Sequence, residues 1–439
     1  MTCPRGRRSG SSPKAATASV VRMRAAAGPP GTNGRKRSLV CLAAMRQQDD
    51  LEARILAALD EAEVVGLAQT LIGIDSTNPP GCEQRIAEAL AAHAAAGGLD
   101  VSLVPVSAGR SNVFIRLRGQ GSAAGRLAYC GHLDTVVAGA SRWQRDPFGA
   151  EIADGVLWGR GAVDMKSGLA AMLGALLAIH RSEVRLNGTV ELIALVGEEV
   201  DCAGATHLMR TGSMEGVRWL VVGEPTGLDV ATAHKGCVRV RVTTRGTSAH
   251  ASRPELGRNA ILDMAALLPE LSKVDLSAVS HPLLTPATSA VTTVSGGSAV
   301  NVVPDCCSAE FDIRVLPGQT VASVVSQFEE RIAAAAARTP GLKADVEVFY
   351  QRDAVETQQD HPLAIALRET AQSVFGRPAR VRAVDFFTDA SVLQPPTGVP
   401  TVLFGPGDTG LMHQTDERIQ VQDIIAASRV FALLPVRLL

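Results

Sequence analysis

The 439-residue chain carries almost no net charge, because 43 Lys and Arg stand against 44 Asp and Glu, a formal −1. That balance excludes nucleic acid as a default partner. No apolar run reaches the length of a membrane span, so no membrane partner is expected. The eight cysteines (Cys3, Cys41, Cys82, Cys130, Cys202, Cys237, Cys306 and Cys307) contain no CxxC and no regular framework. They read as small core residues of a chain in a reducing cytosol, which gives a cytoplasmic expectation. What is present is 46% hydrophobic and 20% charged, enough for a large core and, at this length, two domains.

Acidic residues are absent from the first 48 positions, which hold ten Lys or Arg. Residues 49–439 therefore carry 33 basic and 44 acidic residues, a formal −11. The Gly, Pro, Ser, Ala and Arg content of 1–48 suits a disordered tail. An Arg-rich, acid-free start also resembles a transit peptide, and Leu39 to Met45 is a poor imitation of a signal-peptide core. Translation from Met45 accounts for the composition change equally well, so 1–48 is read as a disordered tail or a mis-assigned start.

From Asp49 onward the sequence turns periodic. Leu51, Ile55, Leu59, Val64, Leu67 and Leu71 keep near-helical spacing up to the prolyl turn Asp75 to Gly81. A helix over Glu83 to Ala95 and strands around Val101 to Val106 and Asn112 to Leu117 follow. The stretch from Ala128 to Gly168 is richest in polar chemistry. Its apolar run Leu127 to Cys130 ends in Gly131, placing His132 and Asp134 where a buried strand opens into a loop. Asp164 sits between a glycine-rich turn and an apolar helix, Leu169 to Ile179. One imidazole and two carboxylates on neighbouring strand ends make a nest suited to a divalent cation that takes N and O ligands.

A strand over Thr189 to Leu195 then runs into Gly197-Glu198-Glu199. Adjacent strand-end side chains point apart, so one acid can bind metal while the other faces the reaction centre. Trp219 to Val222 leads to Glu224, and near the C-terminus a Gly-rich loop precedes His413. The alternation of strands and helices predicts an α/β layer with a mostly parallel sheet. Asp146, Glu151 and Asp154 fall in a solvated hairpin, and His93, His180, His207, His234, His281 and His361 are surface or packing residues.

The residues GHLDTV (131–136), GRGAVDMKSG (159–168), GEE (197–199), GEPT (223–226) and MHQTDE (412–417), in that order, resemble the dizinc amidohydrolase and metallopeptidase family of acetylornithine deacetylase, succinyl-diaminopimelate desuccinylase, aminoacylase and carboxypeptidase G. The resemblance covers about Leu51 to Leu434. It implies that His132, Asp164 and Glu224 bind one zinc, and that Asp164, Glu199 and His413 bind the other, with Co²⁺ able to substitute. It makes Glu198 the general acid/base and Asp134 the carboxylate that orients His132. The fold it implies is a dizinc aminopeptidase-like α/β domain with a mixed, mostly parallel sheet, interrupted by a ferredoxin-like α+β lid and dimerisation domain.

The residues between support that insertion. GCVRVRVTTR (236–245) alternates like a half-exposed strand. A helix over Asn259 to Leu271, strands near Ser289 to Val294 and Ser308 to Val315, a helix over Val321 to Ala337 and a strand at Ala344 to Phe349 complete a β-α-β-β-α-β order. The expected division is therefore a first catalytic segment at 49–232, the lid at 233–350, and a second catalytic segment at 351–439 with a helix over His361 to Phe375 and strands over Val381 to Val384 and Pro400 to Phe404. By resemblance His250 in TSAHAS reaches the active site of the partner in a homodimer and binds the oxyanion. Asn301 and Arg314 resemble substrate binders, although a strand-face salt bridge is a competing role for Arg314. Thr388 to Ser391 resembles a segment lining the substrate pocket. The expected activity is hydrolysis of an N-acyl amino acid amide bond, with a carboxypeptidase G-like peptidase as the alternative and a non-catalytic binding protein as the distant one. Glu224, where the aminopeptidase branch would carry Asp, favours the deacylases and carboxypeptidases.

Overall fold

The computed structural model describes residues 47–121 and 125–439. The basic segment expected as a tail or mis-assigned start lies outside the described residues except for its last two positions. Residues 47–57 form α1. The periodic run that follows is not one helix. It breaks at 58–60, and Asp60 caps α2 (Glu61–Ile72) by accepting from the Glu63 amide at 3.0 Å. Hydrophobic spacing alone does not reveal a cap inside a continuous period.

The larger sheet has nine strands. These are β1 (Asp100–Ser107), β2 (Arg110–Leu117), β3 (Arg126–His132), β4 (Thr189–Leu195), β5 (Val217–Val222), β6 (Val230–His234), β11 (Val355–Glu356), β12 (Val381–Val384) and β13 (Thr401–Leu403). The spatial order is β1-β2-β4-β3-β5-β13-β6-β11, with β12 alongside β6. The centre, β4-β3-β5-β13, is parallel, and antiparallel pairs flank it. Strands β3 and β4 are buried on both faces and read as continuous apolar runs. Helices α2, α3 (Gln84–Ala96), α4 (Lys166–Arg181), α8 (Pro362–Phe375) and α10 (Val421–Leu438) cover one face, and α5 (Ala203–Arg210) and α9 (Ala390–Thr397) the other. Residues 166–179 of α4 are all buried. Gly174 makes that possible, since a Cβ there would lie 2.3 Å from Val64 Cγ2 of α2.

The second sheet contains β7 (Gly236–Arg245), β8 (Thr288–Gly296), β9 (Cys306–Val315) and β10 (Ala344–Arg352), ordered β8-β9-β7-β10 and antiparallel throughout. With α6 (Ala260–Leu271) and α7 (Val321–Arg338) packed on one face through Val240, Phe311 and Phe328, this is the ferredoxin-like plan. The strand β6, cut by the expected boundary at 233, pairs within the larger sheet, so the inserted unit starts at Gly236. Among the cysteines, Cys130, Cys202, Cys237 and Cys307 are buried, but Cys82 and Cys306 are exposed, which corrects the core expectation for those two. No helix among the described residues is long and apolar enough to cross a membrane.

Candidate metal centre

The C-terminal ends of β3, β4 and β5 deliver the sequence-predicted acids and imidazole to one place. His132 ends β3, Glu198 and Glu199 follow β4, and Glu224 follows β5. Ligand sites form in this position of an open α/β sheet because neighbouring connections leave a crevice there. The loop ahead of α4 adds Asp164, and the loop 412–417 adds His413. Gly197 permits the turn after β4: its φ is +83°, and a Cβ would lie 2.8 Å from Asp201 Oδ1.

Asp164 stands between the two imidazoles. Its Oδ1 faces His132 Nε2 at 2.9 Å, and its Oδ2 faces His413 Nε2 at 3.2 Å. Glu224 Oε1 lies 3.6 Å from His132 Nε2, and Glu199 Oε2 lies 3.0 Å from His413 Nε2. Glu199 Oε1 and Glu224 Oε2 are buried and have no hydrogen-bond partner among the described residues. Buried carboxylate oxygens without partners are costly, and a cation removes that cost. The N and O donors suit a divalent cation. Glu224 thus stands on the His132 side of Asp164 and Glu199 on the His413 side, and ligand atoms of His132, Asp164 and Glu199 all lie within 4.8 Å of one another.

Titration behaviour follows from burial and proximity. Burial alone would raise Asp164, but hydrogen bonds with His132 and His413 hold its carboxyl well below the usual range. Burial, reinforced by neighbouring carboxylates, pushes Glu198 and Glu224 well up and Glu199 up. His413 is raised to about 10 by Asp164 and Glu199. Burial opposes charging of His132, yet Asp134 and Asp164 outweigh it and lift it well above the ordinary imidazole value.

Asp134 contacts more than His132. His132 Nδ1 lies 3.0 Å from the Asp134 carbonyl and 3.5 Å from its Oδ1. The carboxylate also accepts from the amides of Gly197, Glu198 and Glu199 at 3.1 to 3.2 Å and from Asn78 Nδ2 at 2.9 Å. It therefore ties the imidazole to the turn that carries both glutamates. Glu417 plays the same part for the other loop. It accepts from Arg160 Nη1 at 2.6 Å and from the amides of Gly161, Val163 and Asp164 at 2.7 to 3.1 Å. Asn78 and Arg160 are missed by sequence reasoning. A prolyl turn and a glycine-rich loop carry them, but neither announces a side-chain target far along the chain.

Asp164, Glu198, Glu199, Glu224 and His413 line a cavity of about 330 Å³ together with Arg239, Arg314, Phe386, Phe387 and Met412. Arg314 lines this cavity, and its Nε donates to Asp312 at 2.7 Å. His250 and Asn301 do not line it. They lie side by side in the inserted unit, where His250 pairs with Val302, the Asn301 carbonyl accepts from Ala251, and both side chains are exposed. Thr388, Asp389 and Ser391 are buried, and Phe386 and Phe387 supply the pocket wall in their place. Cys130 and Cys202 lie nearby, but burial pushes both thiols well up, so neither offers a thiolate. A larger cavity of about 740 Å³, lined by residues such as Asp100, Arg118 and His180, holds none of the converging ligands.

Comparison with known proteins agrees with this fold. Solved structures with the same fold include aminopeptidase PepT from Bacillus cereus, with a TM-score of 0.71 at 23% identity over 87% of this chain and 99% of that one. An M20 family metallo-carboxypeptidase from Sulfolobus solfataricus also gives 0.71, at 18% identity over 86% and 99%. The YXEP protein of Bacillus subtilis, described as a dinuclear metal binding peptidase, gives 0.68 at 17% identity over 86% and 97%. The sequence model of peptidase family M20/M25/M40 matches residues 128–436. The chain, with its shared Asp164 between two imidazoles and its strand-end glutamates, belongs to that family of metallohydrolases acting on amide bonds.

Proposed function

We propose that the chain is a zinc-dependent deacylase that hydrolyses the amide bond of an N-acyl amino acid as a cytoplasmic homodimer. The carrying observation is the placement of Asp164 between His132 and His413, with Glu198 in the same cavity. His132, Asp164 and Glu224 would hold one zinc, and Asp164, Glu199 and His413 the second. Bound zinc would supply Lewis acidity at the carbonyl and acidify water. Glu198, which shares the cavity and has no role in either ligand set, takes the proton from water and delivers it to the departing amine. Burial raises its affinity for a proton, as accepting one from water requires. Asp134 keeps His132 and the Glu198 turn in register. His250, contributed by a second copy of the chain, donates to the developing oxyanion, and Asn301 accompanies it. Arg314 binds the substrate carboxylate.

A non-catalytic binding role is disfavoured because Glu198 and every candidate ligand are retained. Carboxypeptidase action uses the same cavity and remains the alternative, with one distinguishing test. Acetylornithine, succinyl-diaminopimelate, neutral N-acyl amino acids and short peptides are offered to protein loaded with zinc or cobalt. Metal-dependent release of an acyl group from at least one N-acyl amino acid is expected. Release of C-terminal amino acids from peptides, with every N-acyl amino acid untouched, would replace this reading by the peptidase.

A further inference from the structure

The open face of the second sheet carries a ladder of opposite charges. Away from the cavity Arg241 meets Glu310 and Glu347, and Arg245 meets Asp345, so three carboxylates face two guanidinium groups. At the cavity end the balance reverses. Arg239 on β7 and Arg314 on β9 face the single carboxylate of Asp312, which lies directly across from Arg239 in the strand register.

The way this carboxylate is used matters for what the arginines can still bind. Arg239 donates through Nε to Asp312 Oδ2 at 3.1 Å, and Arg314 through Nε to Asp312 Oδ1 at 2.7 Å. Neither guanidinium uses its terminal nitrogens on a partner among the described residues. Aromatic rings fix the planes: the Arg239 carbon lies 4.6 Å from the Tyr350 ring centre, and that of Arg314 lies 5.6 Å from Phe387. Arg352, whose guanidinium carbon lies 4.5 Å from the Tyr350 ring centre, donates to the Asp201 and Gln351 carbonyls and does not line the cavity. Both Arg239 and Arg314 do line it, together with the carboxylates of the nest.

Resting on the amide-hydrolase reading above, we propose that Arg239 joins Arg314 in a two-fork clamp for one substrate carboxylate, with Asp312 as the spacer between the forks. Two cations against one internal carboxylate leave one positive charge, which one substrate carboxylate neutralises. A second substrate carboxylate would leave an excess negative charge beside a nest already rich in acids. The cavity wall also carries Phe386, Phe387 and Met412, and Phe387 packs against the Arg314 guanidinium, so a group held by the clamp meets apolar surface. The selected class is therefore N-acyl or peptidyl derivatives of amino acids with an apolar side chain and a single free carboxylate.

Binding is measured on metal-loaded Glu198→Gln protein, which holds substrate without turning it over. Calorimetric titrations use N-acetylmethionine, alanylmethionine, N-acetylglutamate and the carboxamides of the first two. Adding Arg239→Met, which leaves Asp312 paired with Arg314, is expected to weaken the two methionine acids about tenfold or more while the carboxamides keep their affinity. If Arg239→Met does not fold, Arg239→Lys serves, because its ammonium keeps the charge and loses the planar fork, so acid affinity still falls and carboxamide affinity does not. N-acetylglutamate is expected to bind more weakly than N-acetylmethionine. Equal loss for acids and carboxamides, unchanged acid affinity, tighter binding of N-acetylglutamate, or no binding of either methionine acid would each overturn the clamp. Turnover of the same acids by the unmodified protein is scored separately. A clamp signature with no hydrolysis refutes the deacylase reading alone, and hydrolysis without the signature refutes the clamp alone.

Discussion

The open face of the inserted sheet and the nest at the strand ends are built from the same residue types under opposite conditions. Arg241, Glu310, Glu347, Arg245 and Asp345 are exposed or half-exposed, and each charge has an opposite one within the protein. Water screens such pairs, so each adds little and none requires a ligand. In the nest Asp164, Glu198, Glu199 and Glu224 are screened by almost no water, and among the described residues the cationic groups that pair with them are two imidazoles. There the protein's own residues leave buried oxygens without partners, and the deficit is of the kind that cations fill. Self-sufficient charge marks the scaffold, and uncompensated charge marks the chemistry. The clamp corner of the sheet, next to the cavity, is where the first pattern begins to resemble the second.

The most severe disruption of this contrast is expected from Glu198→Gln, which removes the nest carboxylate proposed to move protons without holding metal. Turnover should fall about 10²- to 10⁴-fold while about two zinc ions remain bound, measured by steady-state kinetics with metal analysis. A lost metal ion would make Glu198 a ligand, and near-normal turnover would remove it from the reaction.

His250→Ala tests whether the exposed, self-paired unit supplies chemistry to a nest in another chain. Loss of one oxyanion donor should lower turnover roughly 10²- to 10³-fold with metal content intact. Mixing this variant with Glu198→Gln should return part of the activity, because one class of mixed dimer has a site with both residues. Demonstrated subunit exchange with no recovered activity would confine His250 to its own chain or to a packing role.

The smallest effect concerns a buried titratable group outside the nest. His234 is fully buried, its Nε2 lacks a partner among the described residues, and burial lowers it to about 4. Since the unfolded chain titrates near 6.5, it binds more protons than the folded chain between pH 6.5 and 4. The stability contributed by neutral His234 is therefore complete above about pH 6.5 and is lost as pH falls toward 4. Between pH 7 and 5 the loss is about 2 kcal/mol. Denaturant unfolding at both pH values should show His234→Leu losing about that much less than the unmodified protein. Identical pH dependence in the two proteins would show that His234 is solvated in the folded state.

Much of this molecule was legible in one dimension. Strand Thr189–Leu195 and the β-α-β-β-α-β order of the insertion follow from apolar periodicity and turn residues, because each pattern requires its own repeat to bury one face or both. The acids and imidazoles of the nest were legible too, since each stands within a few residues of a strand end or helix start that local pattern identifies. The break at Asp60, which depends on one capping hydrogen bond, was not.

What the sequence determined by itself is therefore the set of elements and the ligand types each presents. Only the tertiary structure decided which side chains complete the site from a distance. Asn78 reaches Asp134, Arg160 meets Glu417 across 257 positions, and Arg239 meets Asp312 across the β7–β9 register. Those pairings depend on strand order and loop approach, and hydrophobic periodicity carries no information about either. It is the burial created by that packing that turns ordinary carboxylates into a nest with oxygens left to satisfy.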